Sequence, residues 1–345
     1  MRMSAKEKAV SLKTSLARFI LLVALFAAGF QGRAAGDPFA GYWSLYLPDG
    51  RAGWLHVSGT GDGLKAEALW GIASVVPLDS AKLLDGKLVL THRRKTERKN
   101  AEGKPIYVTE TLTATMDGDN LYFVSVTPQP EGGAVRVEFS GHRQPPLPPA
   151  PDLNRVRFGP PIQLFNGTNL DGWRLVETNA ANGWRAQDGL LINDVTLPPG
   201  SPPRDFGNLR TVAEFEDFSL HAETRVPPHG NSGIFLRGTD EVQVYDSYGR
   251  PNDSHNMGAL YSRIQPRVSA EKPAGQWQTL DIIYVDRHVS VTLNGTPIID
   301  NQPVLGPTGG ALWPEMDRPG PIYLQGDEDT GIAYRNLILR PVLKN

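Results

Sequence analysis

Cysteine is absent from all 345 residues, which removes disulfide staples, thiol nucleophiles and a lipid-modified cysteine behind an export signal. No charge of one sign dominates: 35 Lys and Arg against 37 Asp and Glu leave a formal net charge of −2. That balance gives no electrostatic case for nucleic acid. No His/Cys cluster has the spacing of a zinc site, and neither a Gly-rich phosphate loop nor a Gly-x-Ser-x-Gly elbow occurs. Long stretches of helical periodicity are scarce too. What the chain has instead is 36 Gly, 29 Pro and many short β-rich runs, the composition of an all-β protein.

One apolar run stands apart. Arg2, Lys6, Lys8, Lys13 and Arg18 precede FILLVALFAAGF, Phe19–Phe30, and the small residues Gly32, Ala34 and Ala35 follow. The pattern reads as a signal peptide over residues 1–35, with an apolar core too short for a comfortable membrane span. A periplasmic or secreted protein is expected, without a stable membrane span after cleavage; an uncleaved anchor is the other reading.

From Asp37 the sequence runs as short alternating segments broken by Asp-Gly and Gly-Asp pairs, which are hairpin signals. GYWSLYLP, WLHVSG, LKAEALWG, LLDGKLVLTHRR, PIYVTETLTATM, LYFVSVTP and AVRVEFSGH form a meander. The expectation is a small antiparallel β-barrel or sandwich over 37–142. Trp43, Trp54 and Trp70 are read as core or rim residues, or as stacking platforms for sugar rings. RQPPLPPAPDL, from Arg143, cannot complete a β-ladder at its prolines and reads as a Pro-rich linker over 143–157. The second domain, 158–345, alternates again. In DFSLHAETRV the apolar Phe218, Leu220, Ala222 and Val226 share one parity while His221, Glu223 and Arg225 share the other. Asn294-Gly295 marks a tight hairpin. Strands of this number and length predict a jelly-roll β-sandwich with a concave face for a ligand.

IQLFNGTNLDGWR, WRAQDGLLIND, DFSLHAETRV, GNSGIFLRG, EVQVYDSYG, GALYSRIQP, KPAGQWQTLDI, VTLNG and LQG…YRNLIL, in that order, resemble the 3-keto-disaccharide hydrolase domain family over Ile162–Leu339. The resemblance implies a concanavalin A-like fold and an exported enzyme cleaving glycosides whose sugar carries a ketone at C3. It implies no nicotinamide cofactor, since oxidation at C3 is another enzyme's task. Many members carry Leu-Gln-Asp-His-Gly near the last strands; this chain reads Leu324-Gln325-Gly326-Asp327-Glu328. The histidine is gone, so either Asp327 replaces it or the reaction is altered or lost.

A 3-ketone acidifies the neighbouring C2–H, so the aglycone can leave by elimination and water can add afterwards. Such a site needs a base, an acid for the leaving oxygen and donors for the enolate oxygen. Glu241, Asp246 and Asp327 are the candidate acids and bases. Glu241 and Gln243 share a strand face, and a β-bulge would bring Asp246 beside them. Arg237 is expected on the keto or enolate oxygen, or else in an ion pair. Gln243, Asn231, Tyr261, Gln325 and His255 complete the candidate sugar contacts, each with a structural alternative: Gly233 and Asn231 as a turn, Tyr261 as packing, His255 as an idle loop residue. Arg335 is read as a structural ion-pair partner. No metal is expected, although the acidic loop from Gly326 has oxygens that a divalent cation such as Ca²⁺ would accept. The competing function is a non-catalytic carbohydrate-binding protein on a lectin-like scaffold.

Overall fold

The computed structural model describes residues 37–71, 73–197, 200–202, 204, 206–326 and 331–344. Residues 1–36, which include the segment read as a signal peptide, and Asp327 lie outside the described residues. Among those described there is no α-helix, and no helix long and apolar enough to cross a membrane. Residues Phe39–Asn345 make one compact unit.

Its N-terminal part is a single nine-stranded antiparallel sheet. In spatial order the strands are Val76–Pro77, Lys65–Trp70, Ala52–Ser58, Gly41–Tyr46, Ala134–Arg143, Asn120–Pro128, Pro105–Asp117, Lys87–Lys99 and Ser80–Leu84. The sheet curls into a half-barrel around Trp43, Leu45, Leu55, Leu88, Leu90, Leu112 and Phe123, without pairing its two edge strands. Asp85-Gly86 turns one of its hairpins with both residues at positive φ (49° and 73°), the conformation that a two-residue primed turn demands.

The C-terminal part is a two-sheet jelly roll. The larger sheet orders Trp184–Gln187, Leu190–Asn193, Ile332–Pro341, Phe218–Arg225, Trp277–Val285, His288–Leu293 and Thr296–Pro303, with Ile162–Gln163 added to the Ile332–Pro341 strand. The smaller sheet orders Trp173–Leu175, Leu209–Thr211, Tyr323–Leu324, Asn231–Leu236 and Asp240–Tyr245. Apolar residues of one parity from both sheets fill the space between them: Phe218, Leu220, Ala222, Leu280, Ile282 and Tyr284 face Ile234, Leu236, Val242, Val244 and Leu324. The expected Asn294-Gly295 turn is present, at φ 51° and 82°. Arg335 does form the structural ion pair read from the sequence, with Glu223 on the outer face of the larger sheet.

The half-barrel is bonded to the sandwich at many points. Trp54 Nε1 donates to the Leu305 carbonyl at 3.0 Å, and Arg263 lies over the Trp54 ring at 4.2 Å. A side chain at Gly306 would collide with Trp54 Nε1 at 2.1 Å. Ser44 Oγ donates to Pro314 O, Arg287 reaches Pro145 O and Gln144 Oε1, and the Gly310 N–H donates to Gly71 O at 3.2 Å. Trp43 and Trp54 are therefore packing residues, only 0% and 2% exposed.

Candidate active site

The smaller sheet has two faces of different character. Alternation sends Ser232, Ile234, Leu236, Val242 and Val244 into the sandwich. The other parity faces outward, and the antiparallel register sets Gly233 opposite Gln243 and Phe235 opposite Glu241. Tyr323 pairs with Phe235 on the next strand, and Gln325 follows with its N–H on Gly233 O. Asn231, Phe235, Glu241, Gln243, Tyr323 and Gln325 thus line one cleft of about 710 Å³, well within the size range of small-molecule sites.

Glu241 is its chemical centre. The residue is 4% exposed, its side chain has no hydrogen-bond or ion-pair partner among the described residues, and burial pushes its carboxyl well above the usual carboxylate range. Room for it comes from Gly233: a Cβ there would stand 2.0 Å from Glu241 Oε1. The backbone is pinned behind it, with the Glu241 N–H donating to Thr308 Oγ1 at 2.9 Å and its carbonyl accepting from Tyr261 N at 2.9 Å. A desolvated, unpaired carboxyl facing a cavity is what a general acid or base requires.

The neighbours are held in register by their own bonds. The Tyr323 ring stacks on Phe235 with centroids 3.9 Å apart, and its hydroxyl donates to Gly310 O at 3.0 Å. Burial, reinforced by the charges of Glu241 and Glu177, keeps that hydroxyl protonated far above the ordinary tyrosine range. Gly310 sits at φ 86°, where a Cβ would also crowd the Tyr323 hydroxyl at 3.2 Å. Gln243 Oε1 accepts its neighbour's N–H from Val244 at 3.1 Å, which leaves its amide N–H groups as donors. Gln325 Oε1 is buried without a partner among the described residues, an acceptor suited to a hydroxyl. At the far wall Glu177 accepts two bonds from Asn208, through its backbone N–H (2.8 Å) and Nδ2 (3.0 Å). Asn208 Oδ1 in turn accepts the Gly326 N–H at 2.9 Å. Glu177 is tied up in positioning. Arg204 and Tyr261 complete this side, and Gly50, Arg51 and Gly71 of the half-barrel close the other.

Of the residues singled out from sequence, Glu241, Gln243, Asn231, Tyr261 and Gln325 meet in this cleft. Three others do not. Arg237 is 4% exposed and lies away from the cavity, donating through Nε to Arg318 O at 2.9 Å and through Nη2 to Met316 O at 3.1 Å. The strand has ended at Leu236, and Arg237 sits at φ 55°, so strand alternation no longer governs where its side chain goes. Asp246 also misses the site. The pairing of Asp240–Tyr245 with its neighbour runs without a register shift, so no bulge brings Asp246 round, and its Oδ2 accepts the His229 N–H at 2.9 Å. His255 does not line the cleft: it bonds Asp253 and, at 3.0 Å, Ser74 Oγ of the half-barrel, and meets the Tyr261 ring edge-on at 4.9 Å. It steadies a cleft residue from behind. Sequence reasoning missed Tyr323, which alternation from Gln325 would have placed, and Phe235, which shares the parity of Glu241's partner strand. Glu177, Asn208 and Arg51 carried no local signal. Among the described residues no group of His, Asp and Glu converges as a metal site; residues 327–330 of the acidic loop lie outside them.

Residues 160–340, more than half of the chain, match the family of 3-keto-alpha-glucoside-1,2-lyase-like domains. Among solved structures, a candidate glycosyl hydrolase from Parabacteroides distasonis ATCC 8503 is 30% identical, over 57% of this chain and 93% of that one, with a TM-score of 0.43. A second candidate glycosyl hydrolase from that organism is 20% identical over 53% and 94%, with a TM-score of 0.42. β-Agarase B from Zobellia galactanivorans is 14% identical over 55% and 95%, with a TM-score of 0.35. No curated protein matches the sequence. The chain belongs to the 3-keto-alpha-glucoside-1,2-lyase-like domain family, which marks it as a carbohydrate-active protein.

Proposed function

We propose that the cleft cleaves glycosides whose sugar carries a ketone at C3, by elimination across C1 and C2, and that the protein works after export. The observation that carries this reading is Glu241, a buried and unpaired carboxyl on a polar cleft face. In its ionised form it takes the C2 proton, and the C2–H electron pair moves into the C3 carbonyl as an enolate. The Gln243 amide N–H groups stand ready to donate to that oxygen. The enolate then collapses: the C3 carbonyl re-forms, C1=C2 forms, and the C1–O bond breaks with its electron pair on the aglycone oxygen. That oxygen takes the proton now on Glu241, which returns to its starting state. An alcohol and an unsaturated 3-keto sugar leave, and water adding across C1=C2 completes a net hydrolysis.

The geometry favours this over ordinary glycoside hydrolysis, which uses two carboxyls flanking the anomeric carbon. Among the described residues only Glu177 joins Glu241 in the cleft, and it is held by two bonds from Asn208. The position where a second strand acid would stand is Gln243. A carbohydrate-binding role without turnover is the competing outcome.

The test gives purified protein a 3-keto-glucoside and its unoxidised parent, and follows products by chromatography and by enone absorbance. Cleavage of the keto substrate alone is expected. Cleavage of the parent at a comparable rate, or binding of either without turnover, would sink the proposal.

A further inference from the structure

A second hollow of about 710 Å³ lies in the curl of the N-terminal half-barrel. Its wall mixes aromatic rings with fixed polar groups. Trp70 meets Phe139 edge-to-face with centroids 6.0 Å apart, and the buried Trp70 indole N–H has no partner among the described residues. Glu110, 7% exposed, accepts from Ser125 Oγ and from Arg94 at 3.2 Å. The hollow is not separate from the cleft. Arg51 lines both, at the turn of the first hairpin. Asp49 fixes its guanidinium through Nε at 2.7 Å and through Nη2, leaving Nη1 without a partner among the described residues. Gly71 lies beneath this side chain, where a Cβ would meet Arg51 Nε at 3.0 Å.

We propose that the half-barrel hollow binds the aglycone end of an extended glycoside, one or more further sugar rings, with Arg51 as the specificity residue joining it to the catalytic cleft. An apolar ring face beside a carboxylate, a hydroxyl and guanidinium donors suits a pyranose, which has an apolar face and a hydroxylated rim. Because Arg51 lines both hollows, an extended glycoside seated in the cleft would pass it on entering the half-barrel. This inference rests on the proposed reaction for its substrate, while the hollow itself can be probed without it.

Full-length wild type, Arg51→Ala and Arg94→Ala are assayed with two substrates: a 3-keto-glucoside bearing a phenolic leaving group, and a 3-keto-glucoside extended by two further glucose units. Both side chains are half exposed, so the variants are expected to fold. The expected result is a loss of kcat/KM on the long substrate about tenfold greater than the loss on the phenolic one. Equal losses on both, or none on either, would overturn the proposal. If wild type turns over neither substrate, the proposed reaction fails by itself. Calorimetry with maltotetraose and cellotetraose then decides the hollow: binding weakened by Arg94→Ala but retained in Glu241→Gln supports it, and binding of neither sugar, or loss with Glu241→Gln alone, refutes it.

Discussion

Asp240 and Glu241 are consecutive on one strand and both are buried, yet the two faces of that strand treat them differently. Asp240, 0% exposed, points into the sandwich, where Tyr284 Oη and Thr239 Oγ1 donate to it at 2.8 and 2.9 Å. Burial holds its carboxyl above the ordinary range, with Oδ1 unpartnered among the described residues, while those bonds and the charges of Arg237 and Arg263 pull the other way. Arg263 itself is lowered to about 10 by burial. Glu241, on the cleft face, has burial and nothing to offset it. The inner acid is held as a structural link, and the outer one is left reactive. Strand alternation alone makes the distinction.

The sharpest way to break this contrast is Glu241→Gln. Activity on a 3-keto-glycoside should fall by about 10²–10⁴-fold, the usual worth of a general acid–base group. Stability should move the opposite way. A carboxyl whose folded-state pKa is raised stays protonated in the fold at pH values where the unfolded chain has lost the proton, so its penalty sets in above the unfolded pKa and grows until the folded one is passed. Glu241→Gln should therefore lift the melting midpoint by about 2–4 °C at pH 8 and by less at pH 5. An unchanged or lowered midpoint at pH 8 would mean that Glu241 is paired after all.

Next in size is Gly233→Ala. The new Cβ would overlap Glu241 Oε1, so the carboxyl must move, and misplacement of a reacting group costs about 10–10²-fold in rate. Retained activity would place the reacting group elsewhere. Gln325→Leu removes the buried unpaired acceptor and should raise KM about tenfold with a smaller change in kcat; no change in either would remove Gln325 from the sugar site. Asp240→Asn should have the smallest kinetic effect, with kcat/KM within about twofold, because the amide oxygen can still accept from Tyr284 and Thr239. A catalytic loss there without destabilisation would erase the distinction between the two faces.

Much of this was legible in the sequence. Alternation in DFSLHAETRV and the Asn294-Gly295 turn gave the sandwich, and the parity of Glu241 and Gln243 gave the cleft face. What failed did so where alternation stops applying. Arg237 follows the last strand residue at positive φ, and its guanidinium finds loop carbonyls that only the tertiary fold brings near. Asp246 lies just past a strand that ends without a bulge. Arg51 and Gly71 come from residues far removed in sequence, and no local pattern announces that the half-barrel walls the cleft. His255, read as a sugar contact or an idle loop residue, is held between Asp253 and Ser74 for the same long-range reason.

The most direct test of the central claim is kcat/KM on a 3-keto-glucoside from about pH 4 to pH 9, for wild type and Glu241→Gln. The account predicts a wild-type rate that climbs with one deprotonation above the ordinary glutamate range, and a variant that has lost both the rate and that limb. Comparable turnover with the same pH profile in the variant would contradict it.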